Sequence, residues 1–252
     1  MLTYKRHQLI IGFLTENDIV TVNELMERLK VSESTIRRDL NTLEQEGRLV
    51  RIHGGAKKIS QLNFEASIQE KKDSFHEEKV AIARYCAQLI KKEDIVYLDA
   101  GSTTFEMIPF IANDQALKVI TNSVEHAAAL VNRKIDTIIL GGSIKLSTNA
   151  TLGAQAITQL RQMNFNKAFL GMNGVDLNSA FTTPDPEEAA VKKIALQQSQ
   201  RNFILVDHSK FQQKSFVQVA PLKKAEIITD RCPEHLLKAF QNQTYLKEVE
   251  KL

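Results

Sequence analysis

The stretch Val20–Gly55, VTVNELMERLKVSESTIRRDLNTLEQEGRLVRIHGG, constrains this chain more than any other. Thr21 and Glu24 have the T-x-x-E spacing of a capping box, which opens a helix reaching about Leu29. Lys30 and Val31 form a turn. Ser32 then caps a second helix that runs to Glu46 and stops at Gly47, a residue suited to a left-handed C-terminal position. Within it Ile36, Leu40 and Leu43 recur at i, i+4 and i+7 and must face a core. Ser34, Arg38 and Asn41 therefore project from the opposite face, with Arg37 and Thr42 on its flanks. After Gly47 the alternation LVRIH reads as a strand, and Gly54-Gly55 as the turn of a hairpin returning through Ala56 to Ile59. Two short helices, a tight turn and a basic hairpin are the parts needed to lay one helix in a DNA groove and pin it with a wing. Ahead of them Thr3 can cap a further helix over Tyr4 to Thr15, whose stripe is Leu9, Ile10, Phe13 and Leu14.

Charge distribution supports a nucleic-acid partner where total charge does not. The net charge is only +3, yet Gly47 to Ser60 holds Arg48, Arg51, Lys57, Lys58 and His53 with no acid. Such a stripe is an electrostatic footprint for phosphates. Aromatic residues of the kind that stack on single-stranded RNA are missing from it, which favours duplex DNA. The competing reading is a helical dimerisation or adaptor module with a charged surface. The composition, 43% hydrophobic and 25% charged, is that of a soluble globular protein. No signal peptide or membrane-length apolar run is present, so a cytoplasmic protein without membrane contact is expected. Cys86 and Cys232 lack metal-ligand spacing and read as inert thiols, and no metal site or cofactor is expected.

Periodicity weakens over residues 60–74, which read as an interdomain linker. Beyond it six apolar strands alternate with helices: IVYLDA, LKVITN, DTIILGG, KAFLGMNG, NFILVDHS and AEIITD. This pattern predicts an α/β domain with a mainly parallel sheet, in which ligands bind at the carboxyl ends of strands. Polar residues fall at those ends: Asp99, Gly101, Ser102, Thr103 and Thr104; Thr121, Asn122 and Ser123; Gly141 and Gly142; Asn173 and Asp176; Asp207 and Lys210. Gly101 followed by hydroxyls at a helix start suits an anion, so a polyol or phosphorylated ligand is expected. In PDPEEAAVKK, Glu188 and Lys192 at i, i+4 fit a surface ion pair, while Thr183, Asp185, Glu187 and Lys192 or Lys193 are candidates for the pocket edge. Asp99, Asp176, Asp207 and Lys210 also offer acid–base groups, but no nucleophile motif, metal cluster or nucleotide fingerprint accompanies them, and no catalytic residue is assigned.

SESTIRRDLNTLEQEGRLVRIHGGA resembles the winged helix-turn-helix signature of DeoR-type bacterial transcriptional repressors. The resemblance implies a helix-turn-helix over 20–39 within a DNA-binding domain of residues 1–59. It places Ser34, Thr35, Arg37, Arg38 and Asn41 on the reading face, with Arg51, His53, Lys57 and Lys58 on the wing. DAGSTT, ITNS, LGG, FLGMNGVD, FTTPDPEEAAVKK, DHSKF and IITD are similar to successive motifs of the family's sensor domain. That domain, here residues 75–252, is related in fold to ribose 5-phosphate isomerase and binds phosphorylated sugars. FTTPDPEEAAVKK and MLTYKRHQLI most resemble the fructose operon repressor subgroup, which implies fructose 1-phosphate as effector. The expected protein is a homodimer or homotetramer that binds operator DNA and is released by a phosphorylated sugar. The alternatives are a DeoR-type repressor sensing another sugar phosphate, and a sugar-phosphate isomerase with an appended DNA-binding domain. Ala180 and Gln212 stand where the family often has glycine, at loops beside the expected pocket.

Overall fold

The computed structural model describes residues 2–46, 48–58, 62, 65–112 and 116–250. Gly47 and Ile59, expected to end the third helix and the wing, lie outside those residues, as do 60, 61, 63 and 64 of the expected linker. The chain divides into two compact units, Met1–Gln61 and Leu62–Leu252.

The first unit runs α1 (Thr3–Glu16), β1 (Ile19–Thr21), α2 (Val22–Leu29), α3 (Glu33–Gln45), β2 (Leu49–Ile52) and β3 (Gly55–Lys58). Local chemistry sets the helix starts. The Thr21 hydroxyl accepts the Glu24 N–H while the Glu24 carboxylate accepts the Thr21 N–H, and the Ser32 hydroxyl accepts the Thr35 N–H. Lys30 takes a left-handed φ of 52° to end α2. Thr3 does not cap α1 as expected; it is the first helical residue, and Leu2 precedes it without a side-chain bond. Ile36, Leu40 and Leu43 are fully buried against Ile10 and Leu25. The sequence pattern did not reveal β1, which pairs antiparallel with β3 and makes β3 the centre of a sheet ordered β1-β3-β2. A Cβ on Gly55 would sit 2.2 Å from the Val20 carbonyl oxygen, so this pairing requires glycine.

A buried ion pair ties α1 to α3. Arg6 donates through Nε and Nη2 to the two Asp39 oxygens, the latter bond at 2.8 Å, and His7 Nε2 lies 3.1 Å from Asp39 Oδ1. All three residues are under 9% exposed. Burial works against the Asp39 charge, but the bonds and charges of Arg6 and His7 outweigh it and hold the carboxyl below the usual carboxylate range.

The second unit opens with α4 (Ile68–Asp73) and α5 (His76–Gln88), then β4 (Ile95–Leu98), α6 (Ser102–Phe105), β5 (Lys118–Thr121), α7 (Val124–Asn132) and β6 (Asp136–Ile139). A hairpin of β7 (Ser143–Lys145) and β8 (Ala150–Leu152) precedes α8 (Ala154–Arg161) and β9 (Phe165–Gly171). Next come β10 (Gly174–Asp176), β11 (Ala180–Thr183), α9 (Pro186–Gln197), β12 (Ser199–Leu205), β13 (Val217–Ala220), β14 (Glu226–Thr229), α10 (Glu234–Gln241) and β15 (Leu246–Glu248). The segment 65–74 is thus not plain linker, because it carries α4, started by a Ser67–Glu70 capping box.

Seven strands form one sheet in the order β15-β14-β12-β9-β4-β5-β6, and every pairing in it is parallel. All six strands expected from the sequence lie in this sheet; β15 joins them at an edge. Period-two alternation explains why both faces are covered. Val96 and Leu98 enter a core with Ile82, Cys86 and Phe203 on one face, and Tyr97 enters another with Ala168, Leu160 and Ala195 on the opposite face. The buried thiols are free and raised, Cys86 well above its ordinary value and Cys232 to about 12, both through burial. From β4 the chain builds outward through β5 and β6, then returns to β9 and builds the other way. The topological switch point therefore lies between β4 and β9.

Asp39→Asn should destabilise the first unit by about 3 kcal/mol, since it leaves a buried guanidinium without its counter-charge. Thermal unfolding of the full chain followed by circular dichroism checks this. The pair's contribution is intact above about pH 4, where Asp39 is ionised even unfolded, and is lost as pH falls through its depressed folded value.

Candidate functional site

The reading face of α3 is present in the first unit. Ser34, Arg37, Arg38 and Asn41 are exposed, whereas Thr35 is half-buried with its hydroxyl 2.9 Å from that of Ser32. The cations differ in freedom. Arg37 donates to Glu33 one turn back at 2.7 Å, and Arg51 on β2 donates to Asn41, tying helix to wing. Glu44 accepts the Arg51 N–H at 2.8 Å and reinforces that tie. Among the described residues the Arg38 guanidinium has no partner. His53 and Lys57 are exposed on the wing and Lys58 is half-buried.

In the second unit the switch point is built around Asp99, just past β4. Its N–H donates to the Phe169 carbonyl at 3.0 Å, and its carboxylate accepts the Gly171 N–H and the Lys192 ammonium. Asp99 and Lys192 are 1% and 4% exposed. Burial opposes the lysine charge, but Asp99 and Glu188 outweigh it and hold the ammonium above its ordinary value. The Asn122 amide oxygen accepts from Tyr97 Oη at 3.0 Å and from the Ala100 N–H at 2.9 Å, which fixes the loop that follows. Thr104 donates to the Asp99 carbonyl and meets His126, whose Nδ1 lies 2.6 Å from the Ser123 hydroxyl. Burial pulls His126 down to about 3, so it serves there as a neutral ring. Ser102 and Thr103 are 8% and 6% exposed, and neither hydroxyl has a hydrogen-bond partner among the described residues.

Beside this loop stands a group of charges. Lys145 lies 2.5 Å from Glu65, 2.7 Å from Asp185 and 3.1 Å from Glu188, and Glu188 also accepts from Thr148 at 2.9 Å. Lys71 pairs with the other Glu65 oxygen at 2.7 Å. Lys79, buried, donates to the Lys71 and Ser74 carbonyls at the end of α4. Burial, reinforced by the repulsion of Lys210, brings Lys79 down to about 8 against the attraction of Asp207. Asp207 is buried and accepts from the Ser209 N–H and hydroxyl.

Several expected positions differ. Glu187 is exposed, whereas Glu188 is buried and faces Lys145, because the packing of α9 on the sheet turns Glu188 inward. The surface ion pair expected between Glu188 and Lys192 does not form, since Lys192 is drawn to Asp99. Asp176 closes the β10–β11 turn instead, accepting the Asn178 and Ser179 N–H groups with Lys214 at 3.6 Å. Gly142 serves the β7–β8 hairpin, where a Cβ would meet the Leu152 carbonyl oxygen at 2.3 Å, and the Gly141 N–H donates to Gln159 of α8 at 3.0 Å. Thr183 donates to Asn173 at 2.9 Å. Glu65, Lys71, Lys79 and Lys145 were not anticipated. Only the Ser67–Glu70 spacing could have signalled that residues near 65 are ordered. Glu78, His208 and Asp230 lie within 4.8 Å of one another, but His208 donates to Asp230 at 2.7 Å. That bond raises the imidazole above its ordinary value, which suits an ion pair better than a metal ligand.

A DeoR-like helix-turn-helix domain model matches residues 6–62, and a DeoR C terminal sensor domain model matches residues 74–231. The chain belongs to the DeoR family. It is 42% identical to the uncharacterized HTH-type transcriptional regulator FruR of Bacillus subtilis (strain 168), over 99% of each chain. It is 35% identical to the lactose phosphotransferase system repressor of Lactococcus lactis subsp. lactis, over 96% of this chain and 98% of that one. Among solved structures it is similar to ribose 5-phosphate isomerase A of Methanocaldococcus jannaschii, with a TM-score of 0.40, 19% identity and 53% of each chain covered. It is similar also to eIF2B beta of Chaetomium thermophilum, with a TM-score of 0.44, 14% identity, and 68% and 55% covered. The chain is thus a DeoR-type transcriptional regulator, and no helix among the described residues is long and apolar enough to cross a membrane.

The two positions where this DeoR-family chain departs from glycine keep glycine's backbone: Ala180 has φ 57° and Gln212 φ 58°. The loops retain their course, and a side chain is held in the left-handed region. Gln212 is exposed, so Gln212→Gly should stabilise the second unit by roughly 0.5 kcal/mol, the left-handed cost of about 1 kcal/mol less the entropy that glycine adds to the unfolded chain. Urea unfolding checks it; a loss of stability would show that the Gln212 contact with His235 outweighs the strain.

Proposed function

We propose that this regulator is a repressor of a sugar-utilisation operon, released from operator DNA by a phosphorylated sugar, with fructose 1-phosphate as the effector. The observation that carries the reading is the pair of hydroxyls on the largely buried Ser102 and Thr103, without protein partners among the described residues, at the switch point of a parallel sheet and on a helix against which the lysine-bearing α4 packs. A phosphate supplies the acceptors those hydroxyls lack. Support for a sugar effector comes from the lactose phosphotransferase system repressor among the relatives, and for fructose from the FruR relative. The isomerase alternative is weakened because Asp99 is spent on Lys192 and the Gly171 N–H, and Asp207 on Ser209. Asn173, Thr183 and Lys210 remain candidates to meet the sugar.

On this reading a homodimer or homotetramer places recognition helices at half-sites roughly 34–36 Å apart or a multiple of that. Effector binding lowers operator affinity by its differential affinity for the two states. A hundredfold release needs about 2.7 kcal/mol of coupling.

Arg38→Ala is expected to lose about 1–3 kcal/mol of operator affinity with effector affinity unchanged, read by fluorescence anisotropy on operator DNA and by calorimetry on effector. A parallel fall in effector affinity would overturn the division of labour. A thermal-shift panel of fructose 1-phosphate, fructose 6-phosphate, fructose 1,6-bisphosphate and tagatose 6-phosphate tests the effector. The double substitution Ser102→Ala, Thr103→Ala should weaken the preferred sugar phosphate about 100-fold by removing two charge-assisted bonds, while DNA binding persists. An unaltered shift in the double variant would rule out this phosphate site.

A further inference from the structure

The pairing of charges around Lys145 bears on how an anion enters. Two ammonium groups, Lys71 and Lys145, face three carboxylates, Glu65, Asp185 and Glu188. Glu65 spans the two lysines with one oxygen on each, at 2.7 Å and 2.5 Å. That is the arrangement in which two oxygens of a phosphate would bridge them. A phosphate carries about two negative charges at neutral pH and cannot take these two lysines while the Glu65 carboxylate occupies both of them.

The three acids are not equally free to leave. Asp185 caps α9 through the Glu187 and Glu188 N–H groups, and Glu188 lies within the helix, bonded to Thr148. Glu65 stands outside any helix or strand, ahead of α4, and its carboxylate is bound to the two lysines. The segment it belongs to is tied down at discrete points, beginning upstream of Glu65 where the Phe216 N–H donates to the Leu62 carbonyl at 2.7 Å. Ile68 donates to the Ser147 carbonyl at 2.9 Å, Lys72 pairs with Glu125 over the Phe105 ring, and Lys79 holds the end of α4. Six residues separate Glu65 from the end of β3, the last strand of the DNA-binding unit.

We propose that Lys71 and Lys145 are effector-phosphate ligands and that Glu65 is their internal stand-in, displaced when the phosphate binds. Displacement frees the stretch of chain that leads to the DNA-binding unit, so the same exchange that fills the site loosens the connection. The inference rests on the sugar-phosphate reading above and adds to it the identity of the competing group.

Calorimetric titration of the full chain with fructose 1-phosphate and with inorganic phosphate tests it. Glu65→Gln should bind at least one of these probes about tenfold more tightly than wild type, and Lys71→Met about tenfold more weakly. A merely structural salt bridge would move both variants in the same direction, because either change undocks the segment. Hydrogen exchange on the wild-type chain supplies a readout that depends on no variant. Amides 66–74 should exchange faster with saturating fructose 1-phosphate, whereas slower or unchanged exchange would overturn the displacement. If wild type binds neither probe, the fructose 1-phosphate reading falls and with it this phosphate site. If wild type binds and Glu65→Gln binds no tighter, that reading stands and the stand-in is wrong.

Discussion

The buried pair of Asp99 and Lys192 is the constraint on which the sensor unit depends. Asp99 follows the strand at the topological switch point, and Lys192 comes from a helix that the chain reaches only after seven further strands. Holding both charges out of water is costly unless each has its partner and further bonds. The Gly171 N–H completes the carboxylate, and Glu188 adds a second negative field at the lysine. The pair thereby fixes α9 against β4 and β9. With α9 fixed, Glu188 points at Lys145, and through Lys145 the hairpin of β7 and β8 and the segment before α4 are drawn in.

What could be read from the sequence was local. The strand IVYL, the Thr21–Glu24 capping box and the stripe of Ile36, Leu40 and Leu43 carry their conformation within a few residues, and each forms as expected. What escaped was set by groups far apart in the chain. Arg6 finds Asp39 across 33 positions, and Lys145 finds Glu65 across 80. No periodicity announces either. The choice between Glu187 and Glu188 failed for a different reason: both acids fit the first turn of a helix opened by Pro186, and only the packing of α9 on the sheet decides which one turns inward. The Ser67–Glu70 box was equally local, yet its helix is only six residues long and sits in a polar stretch that masked it.

In the DNA-binding unit the same logic places an acid where it does no harm. Asp39 lies in the helix that presents Arg37 and Arg38, and an exposed carboxylate there would repel the phosphate backbone. Arg6 and His7 instead draw it into the core side of the helix, so one residue both joins α1 to α3 and keeps the outer face cationic. The charged contact that remains outside, Arg37 with Glu33, is of the weak, exposed kind that a nucleic acid can replace.

The approach of Gly55 to the Val20 carbonyl has a mechanical consequence. It closes the central wing strand onto β1, the strand that opens directly into α2. Arg51 and Asn41 close the other side of the wing onto α3. Stitched at both edges, the wing cannot leave the helices without breaking these bonds. Helix and wing therefore present themselves to DNA together, as one reading head.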